Sequence, residues 1–313
     1  MSVLKVEALH KAFRQVQALD GLTFAVEPGT VFGFLGPNGA GKTTTLRILA
    51  GLARPDSGTA FVAGHPAGPA SPARRLVGYL PEEPRFYTWM TATEFLRDYV
   101  AGLFGLKAEE ARRRTAELLD LVGLQDTARR RIAGFSRGMR QRLGLAQALL
   151  NRPQVVLLDE PVSALDPAGR RDMLQLIEEL RRTTTVLMST HILGDVERVC
   201  DTVGIIKDGR MVTVEERQAL LDRYATPLIE ITFRAQPDRV AAWADQMHHQ
   251  PGVASVAKDD ALVRIQLGGG LGADQRVLAQ AVASGMPVER FEHGRPKLED
   301  VFLRLVGQAK EAA

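Results

Sequence analysis

The chain has 313 residues, 45% of them hydrophobic and 25% charged, with a formal net charge of +3 and a mean hydropathy of -0.08. This composition is typical of a globular protein, and the length suggests roughly two domains. The charge is too small to indicate a nucleic-acid partner. The single cysteine excludes an internal disulfide and fits a reducing compartment.

Location and surface charge can also be addressed from the sequence. No apolar run approaches the roughly 18 residues needed to span a bilayer, and the first residues, MSVLKVEALHKAF, carry no signal-like apolar core. We therefore expect a cytoplasmic chain whose membrane role comes through a partner. The arginine runs at 112–114 and 129–131 could form a phosphate-binding patch, but such short runs are more often solvated helix faces.

The strand pattern begins at the N-terminus. Alternating apolar residues between Leu4 and Val26 predict two strands with one buried face. Short continuous apolar runs at 31–35, 155–158 and 184–190 are typical of buried strands, and helical patterns separate them. Buried strands that alternate with helices predict an α/β domain with a largely parallel sheet.

A glycine-rich segment, GPNGAGKT, directly follows the predicted strand 31–35 and precedes a helix. It matches G-x-x-x-x-G-K-[ST], in which backbone N–H groups close around phosphate at a helix N-terminus. Lys42 is predicted to reach the β- and γ-phosphates and Thr43 to ligate Mg²⁺. The alternative, a turn with a chance lysine, is disfavoured by the correct flanking elements. The predicted nucleotide-binding residues here are Gly36, Pro37, Asn38, Gly39, Ala40, Gly41, Lys42, Thr43 and Thr44.

A helical insertion is predicted at about 88–150. The strand signal disappears after position 88, and Thr91-x-x-Glu94 forms a capping box ahead of an apolar-periodic helix. A second helix ends in LLDLVGL at 118–124, with Gly123 as its stop. Further on, FSRGM at 135–139 opens an apolar helix, where an N-cap requires a Ser but not the Gly that follows.

Two carboxylates follow the buried strand 155–158. Asp159 and Glu160 therefore emerge at a strand end, where ligands bind in open α/β sheets. Beside a phosphate loop we expect Asp159 to bind Mg²⁺ and Glu160 to polarise an attacking water, although a helix cap or turn is the alternative. His191 ends the third apolar run and could hydrogen-bond the γ-phosphate or that water. A lone His is more often structural, so its role depends on these neighbours.

The C-terminal part, beyond a predicted break at 225–227, has a different pattern. Apolar residues alternate over 229–233 and recur at helical spacing over 240–247. Predicted next are strands at 252–257 and 261–267, a helix at 273–284, a strand near 287–291 and a helix at 298–306. The order βαββαβ is that of a small α+β, ferredoxin-like domain. The predicted domains are therefore 1–225 and 226–313.

Over roughly residues 1–225, the motifs together resemble the ATP-binding subunit of an ABC transporter. GPNGAGKTT (36–44) is similar to the family's Walker A motif, VVLLDEP (155–161) to Walker B, SALD (163–166) to the D-loop, STH (189–191) to the switch histidine and FSRGM (135–139) to the LSGGQ signature. Their order and spacing are far more specific than any one motif. The resemblance implies a P-loop NTPase fold, an ABC ATPase domain with a helical insertion, and ATP and Mg²⁺ as cofactors.

The resemblance also explains the Gly in FSRGM. In this family the nucleotide lies between two cassettes, which implies that Ser136 donates its hydroxyl to a γ-phosphate held by the other cassette. Gly138 would leave room for backbone N–H groups to face that anion. The D-loop match places Asp166 among the nucleotide-binding residues. The segment has Phe, Arg and Met where the family commonly has Leu, Gly and Gln, but the Ser and the second Gly are retained.

Two further positions matter to the resemblance. Glu82, in GYLPEEP, matches the family's Q-loop glutamine, which usually meets Mg²⁺ with a neutral amide. A carboxylate still ligates the metal, while its charge would alter the coupling to a transmembrane partner. Phe13 falls where an aromatic residue stacks on adenine in the family, with a place in the core as the alternative.

The variants in the signature and at Glu82, together with PKLEDVFLRLVG at 296–307, resemble bacterial exporters whose ATPase and permease are separate chains. This implies a permease partner at the inner face of the membrane and a cassette dimer, formed with a second copy or a related chain. An importer ATPase with a ligand-sensing C-terminal domain stays open. A DNA-repair or chromosome ATPase is disfavoured because positions 42–136 show no sustained heptads, and a translation factor normally carries two cassettes.

Overall fold

The computed structural model describes residues 2–163, 165–224, 228–268 and 272–294, together with 298, 299, 301, 302 and 305. These residues group into one compact unit that extends to Arg217 and a second that begins at Gln218. The predicted break at 225–227 lies outside the described residues, as do most of the predicted helix at 298–306 and position 164 of the SALD motif. The domain boundary at 225 stays a prediction.

Two sheets form the frame of the first unit. Its strands are β1 (Leu4–Phe13), β2 (Val16–Val26), β3 (Val31–Leu35), β4 (Ser57–Val62), β5 (His65–Pro66), β6 (Val77–Leu80), β7 (Val155–Asp159), β8 (Thr185–Thr190), β9 (Thr202–Lys207) and β10 (Arg210–Glu216). The six-stranded sheet has the order β10-β9-β3-β8-β7-β6 and is parallel except at β10. The prediction of a largely parallel α/β sheet is confirmed. A four-stranded antiparallel sheet, β2-β1-β4-β5, accompanies it.

The core of this unit joins the two sheets. Every residue of β3, β7 and β8 is buried, as continuous apolar runs predict. Phe24 of β2 stacks on Phe32 and Phe34 of β3, with ring centroids 5.6 and 5.4 Å apart. Because β3 is enclosed on both faces, the loop that follows it starts from a fixed point.

The helices of the first unit are α1 (Lys42–Leu49), α2 (Ala92–Glu94), α3 (Ala101–Phe104), α4 (Ala108–Leu121), α5 (Arg137–Leu149), α6 (Pro167–Leu180) and α7 (Leu193–Val199). The capping box is confirmed, since Thr91 Oγ1 accepts from the Glu94 N–H and Glu94 Oε2 accepts from the Thr91 N–H. A π-helical segment, Phe95–Val100, then separates α2 from α3. Gly123, with φ of +65°, follows the end of α4 as predicted.

The second unit begins within α8 (Arg217–Arg223) and contains β11 (Leu228–Phe233), α9 (Pro237–Met247), β12 (Val253–Asp259), β13 (Leu262–Leu267), α10 (Ala273–Ala283) and β14 (Val288–Gly294). Its antiparallel sheet has the order β12-β13-β11-β14, and the predicted ferredoxin-like βαββαβ arrangement is confirmed. Trp243 of α9 packs edge-on against Phe233, and its indole N–H donates to the Gln280 carbonyl. In the described part of both units, no helix is long and apolar enough to cross a membrane.

Candidate functional site

The loop between β3 and α1 depends on glycine at two positions. Gly41 has φ of +108°, a conformation that other residues rarely adopt, and an added Cβ would lie 2.5 Å from the Ala18 carbonyl oxygen. A Cβ at Gly36 would collide with the Ile206 carbonyl. These close approaches bring the loop against β2 and β9 and direct the N-terminus of α1 into the space above the parallel sheet, where an anion is favoured.

Lys42 lies at the centre of this loop and is only 6% exposed. Its ammonium donates to the carbonyls of Gly36, at 2.7 Å, and Pro37, at 3.2 Å, and lies 3.7 Å from Glu160 Oε1. Burial lowers the pKa of the Lys42 ammonium, and the neighbouring carboxylates, Glu160 first among them, oppose that shift. The loop thus holds a buried cation beside an acidic strand end.

Asp159, at the end of β7, is 2% exposed and accepts hydrogen bonds on both oxygens. Its Oδ1 accepts from Ser189 Oγ at 2.7 Å and Thr43 Oγ1 at 3.0 Å, and its Oδ2 accepts from the Tyr79 hydroxyl at 3.5 Å. Burial and the nearby carboxylate raise the pKa of Tyr79 to about 12, so the phenol keeps its proton. Tyr79 and the hydroxyl of Ser189 are contacts that sequence reasoning missed.

Glu160 has a left-handed backbone, with φ of +47°, and its main-chain N–H donates to both Ser189 O and Ser189 Oγ, at 3.1 and 3.2 Å. The Ser163 hydroxyl donates to the Glu160 carbonyl at 3.1 Å. His191 Nδ1 lies 3.0 Å from each oxygen of the Glu160 carboxylate. The structure therefore brings the two predicted catalytic residues, Glu160 and His191, into direct contact.

A cleft of about 370 Å³ opens above these side chains. It is lined by Val16, Ala18, Asn38, Gly39, Ala40, Gly41, Lys42, Thr43, Thr44, Glu82, Glu160 and His191. Among the predicted nucleotide-binding residues of the loop, Gly36 and Pro37 contribute instead the carbonyls that hold Lys42. Val16 and Ala18 of β2 are lining residues that the sequence did not indicate. A second cavity of about 360 Å³ lies beside Glu82, Tyr79, Arg47 and Asp159.

Phe13 is the last residue of β1 and pairs in the β1–β2 hairpin with Val16, which lines this cleft. Its side chain is 51% exposed, so the alternative that placed it in the core is wrong. Lys11 Nζ lies 5.3 Å from the centre of the ring. Contact between Phe13 and adenine stays a prediction.

The oxygen atoms near Lys42 fit a magnesium ion that arrives with a nucleotide. Within the described residues, no group of three or more His, Cys, Asp and Glu side chains could hold a metal ion. However, the Thr43 hydroxyl and the Asp159 carboxylate are hydrogen-bonded to each other and offer oxygen atoms as metal ligands. The Glu82 carboxylate lines the cleft beside Thr43. Mg²⁺ is usually bound by one or two carboxylates together with substrate phosphates, and this donor set matches that pattern.

The signature segment is organised separately from the cleft. Ser136 is exposed and caps α5 by accepting the Met139 N–H at 3.2 Å, while Phe135 is buried. A Cβ at Gly138 would lie 3.1 Å from Leu165 Cδ2. Asp166 Oδ1 accepts the Gly169 N–H and so caps α6. The residues that line the cleft do not include Ser136, Gly138 or Asp166.

The phosphate loop follows the central strand β3, and two adjacent carboxylates lie at the end of β7, which is two strands away in the same sheet. This arrangement defines a P-loop nucleoside triphosphatase. A family model described as "ABC transporter" matches residues 19–163, and one described as "ATP-binding protein DrrA1-3-like, C-terminal domain" matches residues 216–306. The chain belongs to the family of ABC transporter ATP-binding proteins, as the motifs predicted.

Relatives match nearly the full length of the chain. An uncharacterized ABC transporter ATP-binding protein, YxlF of Bacillus subtilis (strain 168), is 40% identical over 97% of this chain and 99% of its own. Nod factor export ATP-binding protein I of Burkholderia orbicola (strain AU 1054) is 36% identical over 98% of this chain and 99% of its own. The bacitracin transport ATP-binding protein BcrA of Bacillus licheniformis is 34% identical over 98% of both.

Solved structures give the same result. The structure of an ATP binding subunit of an ABC transporter aligns with a TM-score of 0.65 and 32% identity, and the alignment covers 71% of this chain and 93% of that one. The dimeric structure of a post-hydrolysis state of the cassette MJ0796, bound to ADP and Pi, aligns with a TM-score of 0.63 and 25% identity over 68% of this chain and 98% of that one. The P-loop ATPase fold is therefore confirmed.

Proposed function

We propose that this ATP-binding subunit hydrolyses ATP at the interface of a cassette dimer and thereby powers export through a separate membrane permease. The observation that carries the proposal is the grouping of Glu160 with Lys42, at 3.7 Å, and with His191, at 3.0 Å, in one cleft beside the phosphate loop. A carboxylate held between a cation and an imidazole next to a phosphate site is suited to direct a water molecule at a γ-phosphate.

Binding of the triphosphate uses the loop. The backbone N–H groups of the loop and the N-terminus of α1 bind the phosphate oxygens, and Lys42 exchanges its carbonyl partners for the β- and γ-phosphates. Thr43, Asp159 and Glu82 would hold Mg²⁺, which when bound neutralises charge on the phosphate oxygens. Because Lys42 already lies beside Glu160, the γ-phosphate is delivered next to that carboxylate.

Hydrolysis then uses the acidic strand end. Glu160 orients a water molecule and accepts its proton, the water oxygen forms a bond to the γ-phosphorus, and the bond from that phosphorus to the bridging oxygen breaks to leave ADP and phosphate. His191 fixes the Glu160 carboxylate through its Nδ1 atom and leaves Nε2 to contact the γ-phosphate.

Dimerisation would complete the site. The Ser136 hydroxyl uses a lone pair to cap α5, so its proton remains free to donate to a phosphate on another cassette. This role is supported by the exposure of Ser136 and by the 25%-identical cassette that forms a dimer with ADP and Pi. The second cassette is either another copy or a related chain, and Asp166 would lie at the same interface.

Export as the direction of transport is supported by relatives named for Nod factor export, bacitracin transport and linearmycin resistance, which span 98% of this chain. They match through the C-terminal unit as well as the ATPase unit, which favours an exporter over an importer with a ligand-sensing C-terminal domain. The chain would then act on the inner face of the membrane, bound to its permease.

The experiment is the mass in solution of the Glu160→Gln chain with and without Mg-ATP. Removal of the water-directing carboxylate should trap ATP, and we expect a monomer that becomes a dimer only with ATP. Lys42→Ala in the same background is the control and should stay monomeric. A chain that binds ATP yet remains monomeric would contradict a dimer formed by this chain alone. Phosphate release by the wild-type chain tests hydrolysis.

A further inference from the structure

Two adjacent strand ends meet at a single hydroxyl, that of Ser189. The parallel register of β7 and β8 places Ser189 opposite Asp159, and Ser189 is completely buried. Its Oγ donates to Asp159 Oδ1 at 2.7 Å and accepts from the Glu160 N–H at 3.2 Å. A hydroxyl has one proton and two lone pairs, so both bonds form together.

We propose that Ser189 is a positioning residue that holds the Asp159 carboxylate and the Glu160 backbone in one arrangement, and this rests on the proposed ATPase function. Neither contact requires a nucleotide, and Ser189 does not line the cleft. It acts through its two neighbours and not on the substrate.

Of the side chains that donate hydrogen bonds to Asp159, Ser189 is the best placed to hold its carboxylate in one orientation. Thr43 belongs to the phosphate loop and would turn towards the metal when a nucleotide binds, so its bond to Asp159 is exchangeable. The Tyr79 hydroxyl is 3.5 Å from Oδ2, at the limit of a hydrogen bond. Ser189 gives the shortest of the bonds to Asp159 and comes from the interior of the sheet, so it persists while Thr43 exchanges.

The backbone of Glu160 gives a second reason. A non-glycine residue with φ of +47° is strained and persists only where its surroundings over-determine it. Ser189 provides both acceptors for the Glu160 N–H, its carbonyl at 3.1 Å and its hydroxyl at 3.2 Å. One residue therefore fixes the orientation of the proposed metal ligand and the chain direction at the proposed base.

Ser189→Ala should therefore impair the use of magnesium more than the capture of nucleotide. In the full chain, we would measure the Mg²⁺ concentration at which a non-hydrolysable ATP analogue raises the melting temperature half-maximally. We expect that concentration to rise about 10-fold or more, the cost typical of a lost partner of a metal ligand. Binding of the analogue in EDTA should be unchanged, and kcat should fall while KM is nearly constant.

Thr185→Val is the matched control, because it removes a buried hydroxyl from the other end of the same strand. Thr185 Oγ1 accepts from the Gly29 N–H at 3.0 Å and is remote in the strand from Asp159. This variant should lower the melting temperature and leave the Mg²⁺ requirement unchanged. Ser189→Cys keeps the size of the side chain with a weaker donor and should give an intermediate Mg²⁺ requirement, which keeps the test open if Ser189→Ala does not fold.

A wild-type Mg²⁺ requirement in a folded Ser189→Ala or Ser189→Cys chain would overturn the proposal. An equal rise in Thr185→Val would also overturn it, because the effect would then be general to β8. The melting measurement needs no hydrolysis. Failure of the wild-type chain to release phosphate would therefore count against the proposed function and leave the role of Ser189 to be decided separately.

Discussion

The cleft around Lys42 and the signature segment, residues 135–139, are built in opposite ways. In the cleft, Lys42, Asp159 and Glu160 are buried and bonded to one another or to adjacent strands. In the signature segment, Ser136 is exposed and its hydroxyl oxygen accepts a hydrogen bond from the first turn of its own helix. The cleft is organised by its own chain, whereas the signature leaves the Ser136 hydroxyl at the surface, where the proposed phosphate of another cassette would reach it.

The cleft and the signature segment also differ in the solvation free energy that their charged groups lose on burial. Burial of three charged groups costs solvation free energy, which is offset only because they neutralise and hydrogen-bond each other. Removal of Lys42 or Glu160 would change the balance of buried charge that the other groups experience. A substitution in the signature removes no buried counter-charge. We therefore expect large effects on activity and pH dependence from the cleft and small, separable effects from exposed positions.

The largest expected effect is that of Glu160→Gln on hydrolysis. Loss of the carboxylate that accepts the proton from water should reduce the rate of phosphate release by about 10²- to 10⁴-fold. Binding of ATP should persist because the phosphate loop is untouched. Glu178→Gln, on the exposed face of α6, is the matched control and should hydrolyse ATP as the wild type does. A Glu160→Gln chain with near wild-type turnover would exclude Glu160 as the base.

Lys42→Met tests the buried charge through the pH dependence of stability. Because burial lowers the pKa of Lys42 in the folded chain, the unfolded chain binds more protons over the interval below 10.5. The free energy of unfolding should therefore rise with pH across that interval in the wild type, and this contribution should vanish in Lys42→Met. Denaturant midpoints at a series of pH values measure it, with Lys107→Met as the exposed control. If the free energy of unfolding depends on pH in the same way in Lys42→Met and the wild type, burial does not lower the pKa of the Lys42 ammonium.

The same contrast explains what the sequence could predict. Strands β3, β7 and β8 are continuous apolar runs because they are buried on both faces, and the loop residues at 36–44 form a local pattern. Strand β10 is half-buried along most of its length and carries no clear periodicity, so it was missed. In the first unit the sequence therefore predicts the N-terminal strand pair, three buried central strands and the phosphate loop, but not β10 or its neighbour β9, although β9 is buried beside β3.

The contacts of Tyr79 and Ser189 with Asp159 could not be predicted, because they depend on which strands are neighbours. The order β3-β8-β7-β6 brings two strand ends to Asp159 from opposite sides, and separations of 30 and 80 residues leave no local trace. The sequence predicts that His191 contacts the γ-phosphate or the attacking water, and the structure adds a contact between its Nδ1 atom and Glu160. Motifs identify the residues, and the register of the sheet decides which of them touch.

Ser136 allows a sharper test of the signature, since two substitutions separate capping from ligand binding. Ser136→Ala should lower the free energy of unfolding by about 1 kcal/mol through the lost cap, whereas Ser136→Gly should cost only a few tenths of that amount. Both lack the hydroxyl, so in the Glu160→Gln background both should weaken the ATP-dependent dimer. If Ser136→Gly dimerises normally while Ser136→Ala does not, capping of α5 and not phosphate contact is the role of Ser136.

Phe13→Ala should have only a small effect on stability. The ring is about half exposed, so its truncation should change the free energy of unfolding by about 0.5 kcal/mol or less, unlike that of a core phenylalanine. If the ring stacks on adenine, ATP binding should weaken by about 0.5–1.5 kcal/mol, while binding of inorganic triphosphate stays constant. Calorimetric titration with both ligands measures the difference, and Leu52→Ala controls for loss of an exposed apolar side chain. Equal losses for ATP and triphosphate would mean that Phe13 acts on the phosphate loop and does not recognise the base.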